Sequence, residues 1–530
     1  MKSNGLSFHH PGFFWFGCAA LVAGVLAHIP MFLMASNDGY RMAGMPMDAT
    51  MTTGMFLIPA GLALAAYGMM PRLAKLRGKT QDRAVSFHVA DGAPLNSAHW
   101  KLVCVLLVAL AVDVMKPATL GMVIPGMSRE YEITKQTAGW LALVALTGTA
   151  LGSVIWGRVA DLYGRRCAIL LSALMFMGTA ICGAMPAFSW NLAMCFLMGA
   201  SAGGLLPITF TLMAEMIPTR HRGWLLVMLG GIGNSVGYLL ASGSAAWLEP
   251  LFSWRSLWLL GLPTGAIIIV LDRFIPESPR FLVNMGLNAE ARAVLKKYAG
   301  EFDHEDAKHS APKEQHGGVR ELLTGPHAFV SLALIVCGLA WGLVNFGFML
   351  WLPANLNSMK MDAGAARGLL AYSALFAVPG TAVVTWLYHG WNSIKTLILF
   401  IVLCCASLLS FFILSRLGML NHVTIVAATA SLLVSSSGVI ATLIPYAAEI
   451  YPVHLRATGS GIIAASSKFG GILGAIGGVC GLLTDMDMSS LMIALPMILS
   501  AAMLTKCGID TRGRDFDDIQ RAIAARGAVE

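Results

Sequence analysis

Charge is what this chain lacks most. Of its 530 residues only 12% are Asp, Glu, Lys or Arg, against about a quarter in an ordinary soluble domain; that is too little to cover a soluble surface of this size. A Walker loop, a dinucleotide fingerprint and a catalytic cluster are all missing, which argues against a soluble enzyme. The ten cysteines, among them Cys104, Cys167, Cys182, Cys195, Cys404 and Cys405, sit in or beside apolar runs without metal-ligand spacing. They read as small buried hydrophobes, and neither a metal centre nor a cofactor is expected. The amino terminus shows no short basic region followed by a small-residue cleavage site, so its first apolar run is expected to be a retained helix.

What the chain has instead is apolar sequence in long runs. Hydrophobic residues make up 57%, in segments of roughly 20, the length that crosses a bilayer as a helix. The class is a polytopic membrane protein with the lipid bilayer as its first partner. The formal net charge of +8 fits an excess of Lys and Arg in inner-facing loops, and no nucleic-acid partner is needed to explain it.

Two apolar runs, 13–35 and 52–70, come first. The loop between them has Arg41 as its only basic residue, whereas Arg72, Lys75, Arg77, Lys79, Arg83 and Lys101 follow. This bias places the hairpin's connection outside and both its ends in the cytoplasm. The hairpin is rich in soft side chains: His28, Met31, Met34, Met42, Met45, Met47, Met51 and Met55. Packing or assembly is the expected role, with gating and soft-metal handling as alternatives.

Six further helices are expected over 102–124, 138–154, 168–185, 191–213, 224–247 and 257–270. Another six follow over 327–352, 368–387, 395–415, 423–447, 458–482 and 489–505. The chain thus divides into a hairpin with basic linker (1–100), a six-helix bundle (101–271), a cytoplasmic loop with a short amphipathic helix (272–326), a second bundle (327–505) and a cytoplasmic tail (506–530). An internal echo supports duplication: Glu215, Pro218 and Arg222 recur as Glu449, Pro452 and Arg456.

Between the second and third of these twelve helices lies Trp156-Gly157-Arg158-Val159-Ala160-Asp161-Leu162-Tyr163-Gly164-Arg165-Arg166. Gly157, Asp161, Gly164, Arg165 and Arg166 resemble the loop signature of the major facilitator superfamily. Pro276-Glu277-Ser278-Pro279-Arg280-Phe281-Leu282 and Ala448-Glu449-Ile450-Tyr451-Pro452 with Arg456-Ala457-Thr458-Gly459 resemble motifs of its sugar-porter and organic-ion branch, which includes aromatic acid:proton symporters. The resemblance covers about residues 101–505. It implies an all-α polytopic membrane protein of two six-helix halves, here with two extra amino-terminal helices for fourteen in total. It also implies a non-enzymatic secondary transporter of the bacterial inner membrane, with a proton as coupling ion. The second-half counterpart of the loop, Tyr388-His389-Gly390-Trp391-Asn392-Ser393-Ile394-Lys395, has no Asp or Arg-Arg pair, so a lock there is weaker or differently built.

Asp113 and Lys116 stand near the middle of the first core helix, where charge is expensive unless it meets a partner or a polar cavity. Asp113 is the main proton-coupling candidate, with Glu215 and Glu449 as further ones; an internal ion pair is the structural alternative. Lys116, Asn234, Trp341, Asn345 and Lys468 are the substrate-binding candidates, with Asn355 nearby. Gly157, Asp161, Gly164, Arg165, Arg166, Glu215, Arg222, Glu449 and Arg456 are the gating or latch candidates. The expected activity is proton-coupled alternating access for a small organic anion, a carboxylic or aromatic acid, by a monomer or weak homo-oligomer. Sugar transport, drug or cation efflux, metal cargo and a non-transporting sensor or assembly protein remain alternatives.

Overall fold

In lipid, a backbone that cannot bond to water must bond to itself, so an apolar chain of this kind resolves into helices. The computed structural model describes residues 10–70, 93–299, 319–324, 326–358, 363–483 and 485–511. The basic residues Arg72, Lys75, Arg77, Lys79 and Arg83, the 301–318 connector, most of the tail and the side chain of Arg456 lie outside the described residues. No strand occurs among the described residues. Among the described residues, fourteen helices are long and apolar enough to span a bilayer, the number expected.

The hairpin consists of α1 (Pro11–Asp38) and α2 (Ala49–Met69). The first core half comprises α3 (Ser97–Glu130), α4 (Lys135–Tyr163), α5 (Arg165–Ala184), α6 (Phe188–Met216), α7 (Thr219–Phe252) and α8 (Ser256–Phe274). The second comprises α9 (Ala328–Asn357), α10 (Gly364–Gly390), α11 (Ser393–Arg416), α12 (His422–Ile450), α13 (Thr458–Val479) and α14 (Met486–Cys507). Several run past the apolar windows because the helix continues into its polar ends: the segment expected over 102–124 spans Ser97–Glu130. A short helix at Asn288–Ala299 lies between the halves of the sequence.

Contacts divide the chain into two compact units that do not follow those halves. One contains Met1–Lys116, Thr147–Arg222 and Leu248–Pro312; the other contains Pro117–Leu146, Gly223–Trp247 and Lys313–Glu530. The division cuts α3 between Lys116 and Pro117.

In the first unit, α1 and α2 pack closely because glycines face each other. A Cβ on Gly61 would stand 2.6 Å from the Gly17 carbonyl oxygen, and one on Gly54 would stand 2.6 Å from that of Gly24. Lipid gives no hydrophobic drive for helix pairing, so such backbone approach supplies the dispersion contact that holds a hairpin together. Both hairpin helices also pack on α5. Arg255 is fully buried, and its guanidinium donates to the Gly183 and Met185 carbonyls at 3.0 and 2.9 Å, satisfying the otherwise open end of α5.

In the second unit, the far end of α3 and the start of α4 pack against second-half helices. Gly121 abuts Leu350, and Gly139 abuts Val479. Between Leu343 and Met349, α9 widens into a π-helical turn, a form frequent at functional sites.

The glycine seam makes a direct prediction. Gly61→Leu is expected to destabilise the protein by about 1–3 kcal/mol through overpacking, read as a lowered midpoint of thermal unfolding in detergent. At Gly243, where a Cβ meets nothing within 4 Å, Gly→Ala is expected to be neutral or to gain up to about 1 kcal/mol.

Candidate functional site

The charges expected on the first core helix are paired. Lys116 Nζ donates to Asp113 Oδ1 at 3.2 Å, and the two residues are 1% and 5% exposed. Their separation by three residues puts both on one face of α3. The ammonium also lies 4.0 Å from the centre of the Phe176 ring on α5, an arrangement in which the ring's negative face holds a cation without a second carboxylate. Lys116 is thus enclosed by one charge and one aromatic face.

In the second unit, three of the residues named from sequence converge on a single polar seam. Asn345 Nδ2, in the π-helical turn, donates to Ser436 Oγ at 2.8 Å and to its own helix at Trp341 O, 3.0 Å. Trp341 Nε1 donates to Ser436 O at 2.9 Å. From α7, Asn234 Nδ2 donates to Ser437 Oγ at 2.8 Å, with Ser235 Oγ 3.2 Å from the same oxygen. The organisers are therefore Ser436 and Ser437 on α12, which sequence reasoning passed over. The signal for them is the uninterrupted Ser435-Ser436-Ser437 inside an apolar helix. Asn355 is buried on α9, and Lys468 is half-buried on α13.

The charged turn between α4 and α5 is an ionic knot within the first unit. The Arg165 guanidinium reaches Glu215 Oε1 at 3.3 Å, Asp161 Oδ1 at 3.5 Å and the Ala160 carbonyl at 3.1 Å. Arg166 grips Asp272 with two parallel bonds, Nε to Oδ1 at 2.6 Å and Nη2 to Oδ2 at 2.5 Å, the geometry that makes arginine hard to replace by lysine. Gly164 has φ +102°, and the Glu277 carboxylate occupies the space where a Cβ would stand. From there Glu277 accepts from the Arg165 and Arg166 N–H groups at 2.8 and 3.3 Å and from Ser278 N–H at 2.9 Å. It thereby caps the positive start of α5. The role of the Pro276–Leu282 motif is to deliver this cap. Gly157 faces open space, with nothing within 4 Å of a Cβ there.

Glu215 pairs with Arg165, while Arg222 donates to the Ile217 carbonyl at 3.4 and 3.2 Å. Glu449 is held by three hydroxyls: Tyr388 at 2.5 Å, Ser393 at 2.9 Å and Thr511 at 2.6 Å. Asn392 accepts from Ile394 and Lys395 N–H at the start of α11, the task that Glu277 performs at α5. The second-half turn is built from hydroxyls and an amide where the first uses ions.

Burial pushes the Glu277 carboxyl up from 4.5 to about 7, against the N–H donors and the Arg165 charge that favour its anion. The folded protein then holds this proton more tightly than the unfolded chain does. The group's contribution to stability is full below pH 4.5 and is lost as the pH rises to about 7. Glu277→Gln is expected to flatten that part of the pH profile of thermal unfolding; a profile that keeps its slope would assign the effect to other groups.

Comparison with known proteins places this geometry. The model of the Major Facilitator Superfamily matches residues 102–475. The niacin transporter NiaP of Acinetobacter baylyi is 27% identical over 81% of this chain and 98% of its own length. The 4-hydroxybenzoate transporter PcaK of Pseudomonas aeruginosa is 28% identical over 78% of this chain and 93% of its own. Among solved structures, the proton:xylose symporter XylE superposes with a TM-score of 0.65 at 14% identity, over 80% of this chain and 99% of XylE; at that identity the likeness concerns the fold. The match begins after the hairpin, so α1 and α2 are additional to the twelve-helix fold. The chain belongs to the Major Facilitator Superfamily: it is a multi-pass membrane protein of bacterial type that performs secondary transport of a small organic molecule and is not an enzyme.

Proposed function

We propose that this chain is a proton-coupled symporter of a small organic anion of the aromatic or carboxylic acid class. The observation that carries the reading is the Asp113–Lys116 pair, a carboxylate and an ammonium both buried in a membrane-spanning helix. With Asp113 ionised, the two charges satisfy each other. When Asp113 takes a proton, Lys116 keeps its charge and loses its partner, and a substrate carboxylate restores the balance. One proton and one anion thus add no net charge, which keeps the cost of moving the loaded site through lipid low. The relatives support an acid as cargo, since niacin and 4-hydroxybenzoate are aromatic acids named in NiaP and PcaK. A proton as the only coupling ion agrees with the symporter named in XylE.

The other roles follow this assignment. Asn234, Trp341, Asn345 and Lys468 are proposed as substrate contacts, the first three through the seam on α12. Glu215 and Glu449 are secondary proton candidates; their arginine and hydroxyl partners favour latches. Gly157, Asp161, Gly164, Arg165, Arg166 and Arg222, with Arg456 in the second half, are proposed to hold one access state. The bundles 101–271 and 327–505 would rock about the substrate, joined by the 272–326 loop, with both chain termini cytoplasmic.

Uptake and proton flux in oriented vesicles test the reading with nicotinate and 4-hydroxybenzoate as acids and xylose as a neutral comparison. Acid-dependent proton flux is expected in the parent protein and is expected to vanish in Asp113→Asn. Lys116→Met is expected to raise KM for the acid. Flux unchanged in Asp113→Asn removes that residue from coupling, and uptake of xylose in place of the acids replaces the cargo class. Asn345→Ala, which strips a partner from Ser436, is expected to raise KM about tenfold, the equivalent of about 1.4 kcal/mol. Unchanged KM in that variant removes Asn345 from the substrate contacts.

A further inference from the structure

We propose that the amino-terminal hairpin contains a soft metal site for a cuprous ion, with His28 Nε2 as the anchoring ligand and the thioethers of Met31, Met42 and Met51 completing the set. It lies outside the segment matched to the transporter family and shares no residue with the transport roles.

His28 is fully buried near the end of the first apolar stretch of α1. Its Nδ1 lies 2.9 Å from the Gly24 carbonyl oxygen. A carbonyl only accepts, so Nδ1 carries the hydrogen, and in a neutral ring Nε2 then keeps its lone pair. That Nε2 is buried without a hydrogen-bond partner. An imidazole with one nitrogen fixed on a backbone carbonyl and the other presenting a bare lone pair has the tautomer and orientation typical of metal-bound histidine.

The surroundings are soft. The ring's Cε1 stands against Gly54, 2.9 Å from where a Cβ would lie, so the imidazole edge faces α2. Met51 is one turn before Gly54, and Met31 is one turn beyond His28. Both join Met42 in a buried cluster with Phe32, Ala35 and Ala184, and Met45 and Met47 pack on its margin. Thioether and imidazole donors select a cuprous ion over hard cations. Among the described residues, no group of three or more His, Cys, Asp or Glu forms a site for a harder ion. Asp48 accepts from Met51 N–H at 2.7 Å and acts electrostatically on His28, which offsets a single positive charge. Methionine packing alone explains the cluster; it leaves unexplained why a histidine with an open lone pair is buried beside it.

Anaerobic titration of the full-length protein in nanodiscs with Cu(I), against bicinchoninate as competitor, tests the site. One equivalent is expected to be retained. His28→Ala is expected to weaken retention at least tenfold, and Met31→Leu and Met51→Leu, which keep the apolar volume, are each expected to weaken it. Met34→Leu, at an exposed position, is expected to leave it unchanged. X-ray absorption of the copper-loaded parent protein is expected to show nitrogen and sulfur scatterers together, a readout independent of how well any variant folds. Absence of retained copper in the parent protein, retention indifferent to a combined Met31→Leu and Met51→Leu change, or copper without sulfur neighbours would each overturn the proposal.

Discussion

A polar group inside an apolar helix has to find its partner within the protein, since lipid offers none. That requirement organises nearly every polar side chain described above. Lys116 is satisfied by Asp113 and the face of Phe176. Arg255 is satisfied by two carbonyls at a helix end. Asn234, Trp341 and Asn345 find Ser436 and Ser437 on α12. These solutions differ in what they leave available. Arg255 closes a helix end and is finished. The Asp113–Lys116 pair sets two opposite charges against each other inside a spanning helix.

The charged turn before α5 and its second-half counterpart before α11 show one task solved by different chemistry. At the start of α5 a carboxylate caps the helix and two arginines tie it to Glu215 and Asp272. At the start of α11 an asparagine caps the helix and hydroxyls hold Glu449. Bonds to a carboxylate are charge-assisted whether the donor is an arginine or a hydroxyl. The first turn adds ion pairs to such bonds, and the second uses uncharged donors. The carboxy-terminal segment takes part in the second, through Thr511 on Glu449 and through Ile509, whose backbone pairs with the Tyr446 hydroxyl.

Helix number was legible in the sequence because apolar length reports directly on the membrane. The Asp113–Lys116 pair was legible for the same reason, as an anomaly in an apolar run. Partners were much less so. Glu215 sits beside Arg220 and Arg222 in sequence, yet it bonds to Arg165, 50 residues away, because helix ends meet in space. Ser436 and Ser437 were missed because serine is common in membrane helices, where it can bond to its own backbone. The run Ser435-Ser436-Ser437 marks the place, and the bonds from Asn234, Trp341 and Asn345 identify Ser436 and Ser437 as the recipients. The motif at Pro276–Leu282 marked the family without disclosing its task, which depends on the positive φ of Gly164 making room for a carboxylate.

The wide turn in α9 bears on the course of the whole helix. A π-helical turn takes up one residue more than an α-helical one, and each residue of an α-helix accounts for about 100° of rotation. The segment beyond Met349 is thus turned relative to the course it would follow in an unbroken α-helix, and Asn345 sits in the turn that creates the offset. A spanning helix so built carries an offset between its two ends, located where Asn345 is bonded to the neighbouring α12.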